Sequence, residues 1–289
     1  MNDPEKIKEP AHLERYVWVL AVVWMVIVAV SLAWNVVQVR QTTLEVARTQ
    51  ARVAYEKDVI YRRWNAGHSG VYVPVTEETQ PNPYLSDMAE RDITTPSGKL
   101  LTLINPAYMT HQVHELAEEE YGVRGHITSL NPIRPENVAD PWETEALQAF
   151  EYGETEISSV EEMEGKAYMR LMRPLVTEES CLKCHAAQGY QEGDIRGGIS
   201  VSIPMEPLWA IERMNMLTLW LGHGLLWLVG FAGIVLGTRR LRRSASERRK
   251  PSSRWPITTT SPACLTGGCS MTASTWHWLT HTATSKNWP

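Results

Sequence analysis

Two long apolar runs decide most of what this chain can become. Tyr16 to Val39 is 24 residues without a charge, and Met216 to Gly237 carries no charged residue beyond His223. At 1.5 Å per residue the first makes roughly 36 Å of helix, enough to cross a hydrocarbon core. Trp18, Trp24 and Trp34 supply interfacial anchors. The first run is too long for a signal peptide, and no small-x-small cleavage site ends it. Arg239, Arg240, Arg242 and Arg243 follow the second run at once, and such clusters stay cytoplasmic. The expected layout is residues 1–15 inside, spans at 16–39 and 216–237, residues 40–215 outside, and residues 238–289 inside as a basic linker and disordered tail. That is a bacterial inner-membrane hairpin with its folded part in the periplasm.

Charge supports the layout. The net charge of −5 hides 28 acidic against 16 basic residues between Arg40 and Arg213, and a basic cluster beside the second span. A membrane partner fits this pattern and nucleic acid does not. Gly233 and Gly237 form a small-xxx-small pair able to pack a partner helix. His223, inside the second span, is expected to be an interfacial or helix-contact residue.

The outer segment opens with a helix over Arg40–Ala66, free of Gly and Pro, which packs on its own domain or pairs across a homodimer as a stalk. Gly67 to Gly70 breaks it. Strands are expected at Val71–Val75, Lys99–Ile104, Lys166–Met172 and Ile199–Ile203. Helices are expected from Asn105-Pro106 to Tyr121 and from Pro141 to Phe150. The acidic stretch Glu151–Glu164 reads as a loop or strand edge, and Gly189–Gly198 as a glycine-rich loop. This is one α+β domain, not a helical cytochrome.

Cys181-Leu-Lys-Cys184-His185 is a Cys-x-x-Cys-His motif, the attachment signature of c-type haem. Two intervening residues let both sulfurs reach one porphyrin edge, and the next imidazole reaches the iron. The rival readings of the pair are a disulfide, a thiol redox pair or half of a zinc site. An extracytoplasmic location favours haem. His185 is then the proximal iron ligand, and His68, Met109, His111, His114 and His126 are distal candidates. A strong sixth ligand favours redox sensing or electron transfer, and an open position favours a diatomic gas.

The motifs Arg63–Pro74, Pro81–Leu85, Asn105–Thr110, Thr128–Pro132, Pro141–Glu143, the Cys-x-x-Cys-His segment, Gly189-Tyr190 and Arg196–Val201 resemble a family of extracytoplasmic, c-type-haem-binding, PAS-like sensor domains. The resemblance covers roughly residues 40–208. It implies a redox or gas sensor that feeds histidine kinases or diguanylate cyclases across the membrane. Ser69 departs from it, standing where a Gly often occurs. The runner-up function is a membrane-anchored electron-transfer c-type cytochrome.

Pro251 to Pro289 lacks acids and apolar periodicity. Cys264, Cys269, His277 and His281 fit a zinc spacing loosely. Back-translated one base earlier, Ala263–Ser270 permits Gly-Leu-Pro-Asn-Arg-Arg-Leu-Phe, and Met271-Thr272 forces an Asp. The shifted frame resembles the opening of a diguanylate cyclase domain. The expectation is a frameshifted, lost output domain, and hence a sensor that is not itself an enzyme.

Overall fold

A computed structural model of the protein describes residues 10–248. The expectations for residues 1–9 and 249–289, the Cys264/Cys269/His277/His281 group and the out-of-frame tail among them, lie outside the described residues. The chain divides into two compact units, Met1–Arg239 and Arg240–Pro289. Of the second, residues 240–248 are helical, and everything else below concerns the first.

The expected first span and outer helix are one element. α1 runs through Pro10–Gly67, 58 residues without a break, because no Gly or Pro interrupts it after its first residue. At its far end Gly70 N–H donates to the Asn65 carbonyl (3.0 Å), closing the last turn. α5, Glu206–Arg248, contains the second apolar run. Both helices are long and apolar enough to cross a membrane, and their apolar stretches are almost wholly exposed. Where they meet, Ser31 Oγ lies 3.2 Å from His223 Nε2, and Gly230 leaves room for the Trp24 indole. His223 is thus a helix-contact residue. Among the described residues, nothing lies within 4 Å of where a Cβ on Gly233 or Gly237 would stand.

Between these helices lie two antiparallel sheets. The smaller has the order β1(Val71–Pro74), β3(Leu100–Ile104), β2(Asp92–Thr94). The larger has the order β4(Arg124–Thr128), β7(Ile195–Pro204), β6(Lys166–Val176), β5(Ile157–Met163). α2, Pro106–Tyr121, begins where the Asn105 side chain accepts from Tyr108 N–H (2.8 Å). α3, Pro141–Glu151, begins on a capping box in which Asp140 and Glu143 each accept the other's backbone N–H. The mixed α+β class expected from the sequence is the class observed.

The period-2 alternation of β6 and β7 explains how both are buried nearly end to end. Met169, Leu171, Ile199, Val201 and Ile203 point to one face and pack on Ala47, Ala51 and Tyr55 of α1. Met172 points to the other and packs on Ala146, Leu147 and Phe150 of α3. Small Ala side chains let the helix lie close to the sheet, and Tyr55 Oη donates to the Pro174 carbonyl (3.1 Å). Burying this much apolar surface contributes about 25 cal/mol per Å².

One open local expectation is resolved and another changes. The acidic stretch supplies β5, an edge strand that pairs β6 from Ile157↔Met172 to Met163↔Lys166. The last four residues of the expected glycine-rich loop are strand: β7 starts at Ile195. Gly197 and Gly198 are there because a Cβ would overlap the Thr128 carbonyl oxygen and the Met172 side chain respectively.

Candidate functional site

The Cys-x-x-Cys-His segment sits on α4, Glu179–His185, inside a loop that joins the paired strands β6 and β7. Thr177 N–H donates to the Asp194 carbonyl (2.8 Å) and Gly193 N–H to the Thr177 carbonyl (3.0 Å). These bonds close the loop at its base and hold residues 178–192 as an excursion from the sheet. Cys181 is a half-buried free thiol. The side chain of Cys184 lies outside the described residues.

His185 is fixed through both ring nitrogens. Gln188, three residues on, donates its Nε2 to the Asn131 carbonyl (3.2 Å). Its Oε1 is therefore the end that faces His185 Nδ1, at 2.6 Å. An oxygen there requires Nδ1 to carry the proton. On the other side, Arg196 Nη1 lies 2.5 Å from Nε2. A guanidinium only donates, so Nε2 must present its lone pair. Two independent partners thus demand one neutral tautomer. Burial, and then the charge of Arg196, lower the His185 pKa and hold the ring neutral. A neutral imidazole whose other N–H is anchored is what a metal ligand needs.

Arg196 reaches this position because Gly197 lies flat against β4, where Ser129 Oγ donates to the Arg196 carbonyl (2.7 Å). His185, Gln188 and Arg196 line a cavity of about 640 Å³, within the roughly 300–1,000 Å³ of cofactor and small-molecule sites. Its walls include Ala66 and Ser69 at the end of α1, Leu103 of β3, Ala107 of α2 and Leu175 of β6. A second hollow of about 190 Å³ shares the His185 and Arg196 walls and takes in Cys181 and Arg62. The thiol and the imidazole therefore open on adjoining space. A thiol and an imidazole thus stand together beside a cavity of cofactor size.

The distal candidates lie elsewhere. His68 is exposed, its ring 4.4 Å from that of Trp64 and its Nδ1 2.7 Å from the Trp64 carbonyl. Met109 Sδ accepts from Asn65 Nδ2 at 3.7 Å. His111 Nε2 lies 3.3 Å from Glu115 on the same helix. His114 is buried against Asp58 at 2.7 Å. None of these lines either cavity, nor does His126.

His126 belongs to a separate polar cluster between β4 and α3. Its Nδ1 lies 2.9 Å from Glu143 Oε2 and its Nε2 2.9 Å from the Glu136 carbonyl. Burial alone would lower its pKa, but the hydrogen bond and charge of Glu143 outweigh burial and hold it raised. Glu143 is 1% exposed. It also takes a hydrogen bond from Ser200 Oγ and lies 3.3 Å from Arg170. Burial pushes its carboxyl up, yet His126, Ser200 and the Asp140 N–H prevail and hold it below the usual carboxylate range.

Sequence reasoning missed three residues. Gln188 was findable, three places after the motif histidine on the same turn. Arg196 stood in a matched motif without a role, and Arg62 carried no signal. Ser69 has φ +61°, the left-handed region that favours glycine, which explains why a Gly suits that position.

Comparison with known proteins gives two matches. Residues 40–204 match the model of the Tll0287-like family. The crystal structure of the cyanobacterial heme-protein Tll0287 resembles the chain at a TM-score of 0.35 and 17% identity, over 54% of this chain and 93% of that one. No curated protein matches.

Proposed function

The chain belongs to the Tll0287-like family, and from that footing we propose that residues 40–215 form an extracytoplasmic, PAS-like c-type haem sensor anchored by two spans. One observation carries the reading: within a Cys-x-x-Cys-His helix, His185 is anchored through Nδ1 in the tautomer that leaves Nε2 an acceptor, at the wall of a cavity of cofactor size, where Arg196 holds the lone pair that an iron would take. Cys181 and Cys184 would hold the group by adding S–H across its two vinyl bonds, which needs no oxidant. His185 would supply a nitrogen ligand to its iron. When bound, haem supplies an iron that changes oxidation state or takes a diatomic ligand. The chain's residues do the rest. Gln188 orients His185, Leu103, Ala107 and Leu175 give the space apolar surface, and Arg196 adds positive charge beside the imidazole.

The sensor reading is favoured over an electron-transfer cytochrome because the site's walls lead straight to both spans. Ala66 and Ser69 stand at the end of α1, while β7, which carries Arg196, passes through buried Met205 into α5. The reading assigns no catalytic step to this domain. The arginines after the second span support a periplasmic placement. The test is a pyridine haemochrome spectrum of the full chain, expressed with haem-attachment machinery and purified in detergent. A c-type spectrum lost in Cys181→Ala/Cys184→Ala supports the proposal. A wild-type chain without that spectrum sinks it. Slow, ligand-coupled rearrangement of the helices then favours a sensor, and rapid electron exchange with a cytochrome favours a carrier.

A further inference from the structure

α1 carries two apolar faces, and the sheet takes only one. Ala47, Ala51 and Tyr55 seat the helix on β6 and β7. At about 100° per residue, Val46, Val53, Ile60 and Trp64 fall within roughly 40° of one another on nearly the opposite side. They are 41%, 56%, 59% and 55% exposed. A helix that only covers its own domain needs a single apolar stripe. Lipid does not account for the second one. Val46 stands seven residues past Val39, where the expected span ends, and that is roughly 10 Å of helix. The interfacial layer adds only about 5–8 Å on each side of the hydrocarbon.

Spacing and charge identify the occupant. Val39, Val46, Val53 and Ile60 repeat every seven residues. A strict period of seven keeps a seam facing another helix that supercoils with it. With these residues at the d positions of a heptad, Gln50, Lys57 and Trp64 take the a positions, and Glu56 takes the g position before Lys57. In a parallel, in-register pair, an a side chain inserts beside the preceding g residue of the facing helix. Lys57 then meets Glu56 of the partner subunit. Lys57 is exposed and forms no ion pair among the described residues. Glu56 is half-exposed and reaches Arg173 within its own chain, and a carboxylate accepts from more than one donor. A polar a residue such as Lys57 lowers stability but sets register and strand number.

We propose that α1 pairs, parallel and in register, with α1 of a second copy of this chain along Val46, Val53, Ile60 and Trp64. The parallel sense rests on the membrane reading above, which points the outer helix of every copy the same way. The two alternatives for this helix, packing on its own domain and pairing across a homodimer, thus fall to opposite faces of it. Arg62 and Ala66, which line the cavity, point away from the seam.

The experiment uses two differently tagged copies of the full chain, co-expressed and kept in their native membranes. A benzophenone amino acid stands in place of Val53 or Ile60, and in place of Tyr152, 92% exposed just past α3, as the control. Irradiation is expected to join the two tags from positions 53 and 60 and not from 152. Lys57→Glu weakens that cross-link, because like charges then face each other, and the swap Glu56→Lys/Lys57→Glu restores it. Val53→Glu/Ile60→Glu abolishes co-purification of the two tags in detergent, since ionised carboxylates resist desolvation, and leaves thermal unfolding of each copy nearly unchanged. Adducts with lipid or with a different protein assign the stripe to that occupant and overturn the pairing. A membrane-bound chain without an adduct, or a double Glu variant whose tags co-purify as in wild type, overturns it as well. A chain recovered outside the membrane fraction overturns the anchoring, and the parallel sense with it. Should the double Glu variant fail to fold, the Lys57 series decides by the same criteria.

Discussion

His126 and His185 are both half-buried, both flank the larger sheet and both engage each ring nitrogen. They are opposite in kind. His126 lies between two acceptors, the Glu143 carboxylate and the Glu136 carbonyl. Both its nitrogens must donate, so it is a cation with nothing left to offer a metal. His185 lies between an acceptor, Gln188, and a donor, Arg196. One nitrogen donates and the other accepts, so a lone pair stands there that Arg196 now holds. Partner type, more than burial, decides which histidine has both nitrogens committed as donors and which retains an acceptor nitrogen.

The largest expected effect breaks the first site. Glu143→Gln removes the charge that His126 and Arg170 share and should cost about 3–5 kcal/mol, as losing one partner of a buried ion pair does. Denaturant unfolding of the full chain in detergent measures it. A loss below about 1 kcal/mol would show that the cluster is not held by charge. Next is Gly197→Ala, whose Cβ meets the Thr128 carbonyl oxygen. Overpacking should cost about 1–3 kcal/mol and move Arg196 off His185. Unfolding and the pH titration of the His185 ring signals by NMR in the haem-free protein check the two parts.

A smaller effect is pH dependence at the first site. The folded pKa of His126 is raised above its unfolded value of about 6.5. Its contribution is full below that value and is lost as pH rises through the folded pKa. Glu143 is depressed, so its contribution is present above about 4.3 and lost as pH falls. Thermal unfolding across pH should therefore peak between these limits, and His126→Gln should flatten the alkaline side. An unchanged alkaline slope in that variant would contradict the double-donor assignment. Least in stability, Gln188→Leu should leave unfolding nearly untouched yet raise the midpoint potential of the haem-loaded chain. A hydrogen bond to Nδ1 strengthens the imidazole as a donor to ferric iron, and the variant loses it. A fall in potential would overturn the assigned orientation.

Much of this architecture was written locally. Asn105-Pro106 and Asp140-Pro141 announce α2 and α3 because capping chemistry acts within four residues. β6 and β7 show their alternation because a period of two survives in any context. β2 and β4 were not legible. Arg124-Gly-His-Ile-Thr128 is short and polar, and it becomes a strand only because β7 offers it a partner from Arg124↔Ser202 to Thr128↔Gly198. The motif itself named Cys181, Cys184 and His185, whereas the facing of the other histidines depends on contacts between distant segments. His126 and Glu143 are brought together by the packing of α3 on the sheet. No spacing in the chain encodes that meeting.

One feature of α1 has a mechanical meaning. At 58 residues it is a rod of about 87 Å without a joint. Its lower half is a smooth apolar shaft, Ala47 and Ala51 seat it on the sheet, and Arg62 stands near its tip. A hinge would dissipate a small twist, but a jointless shaft passes it on, so a shift of the cavity wall at Arg62 and Ala66 is carried to the apolar run more than twenty residues away.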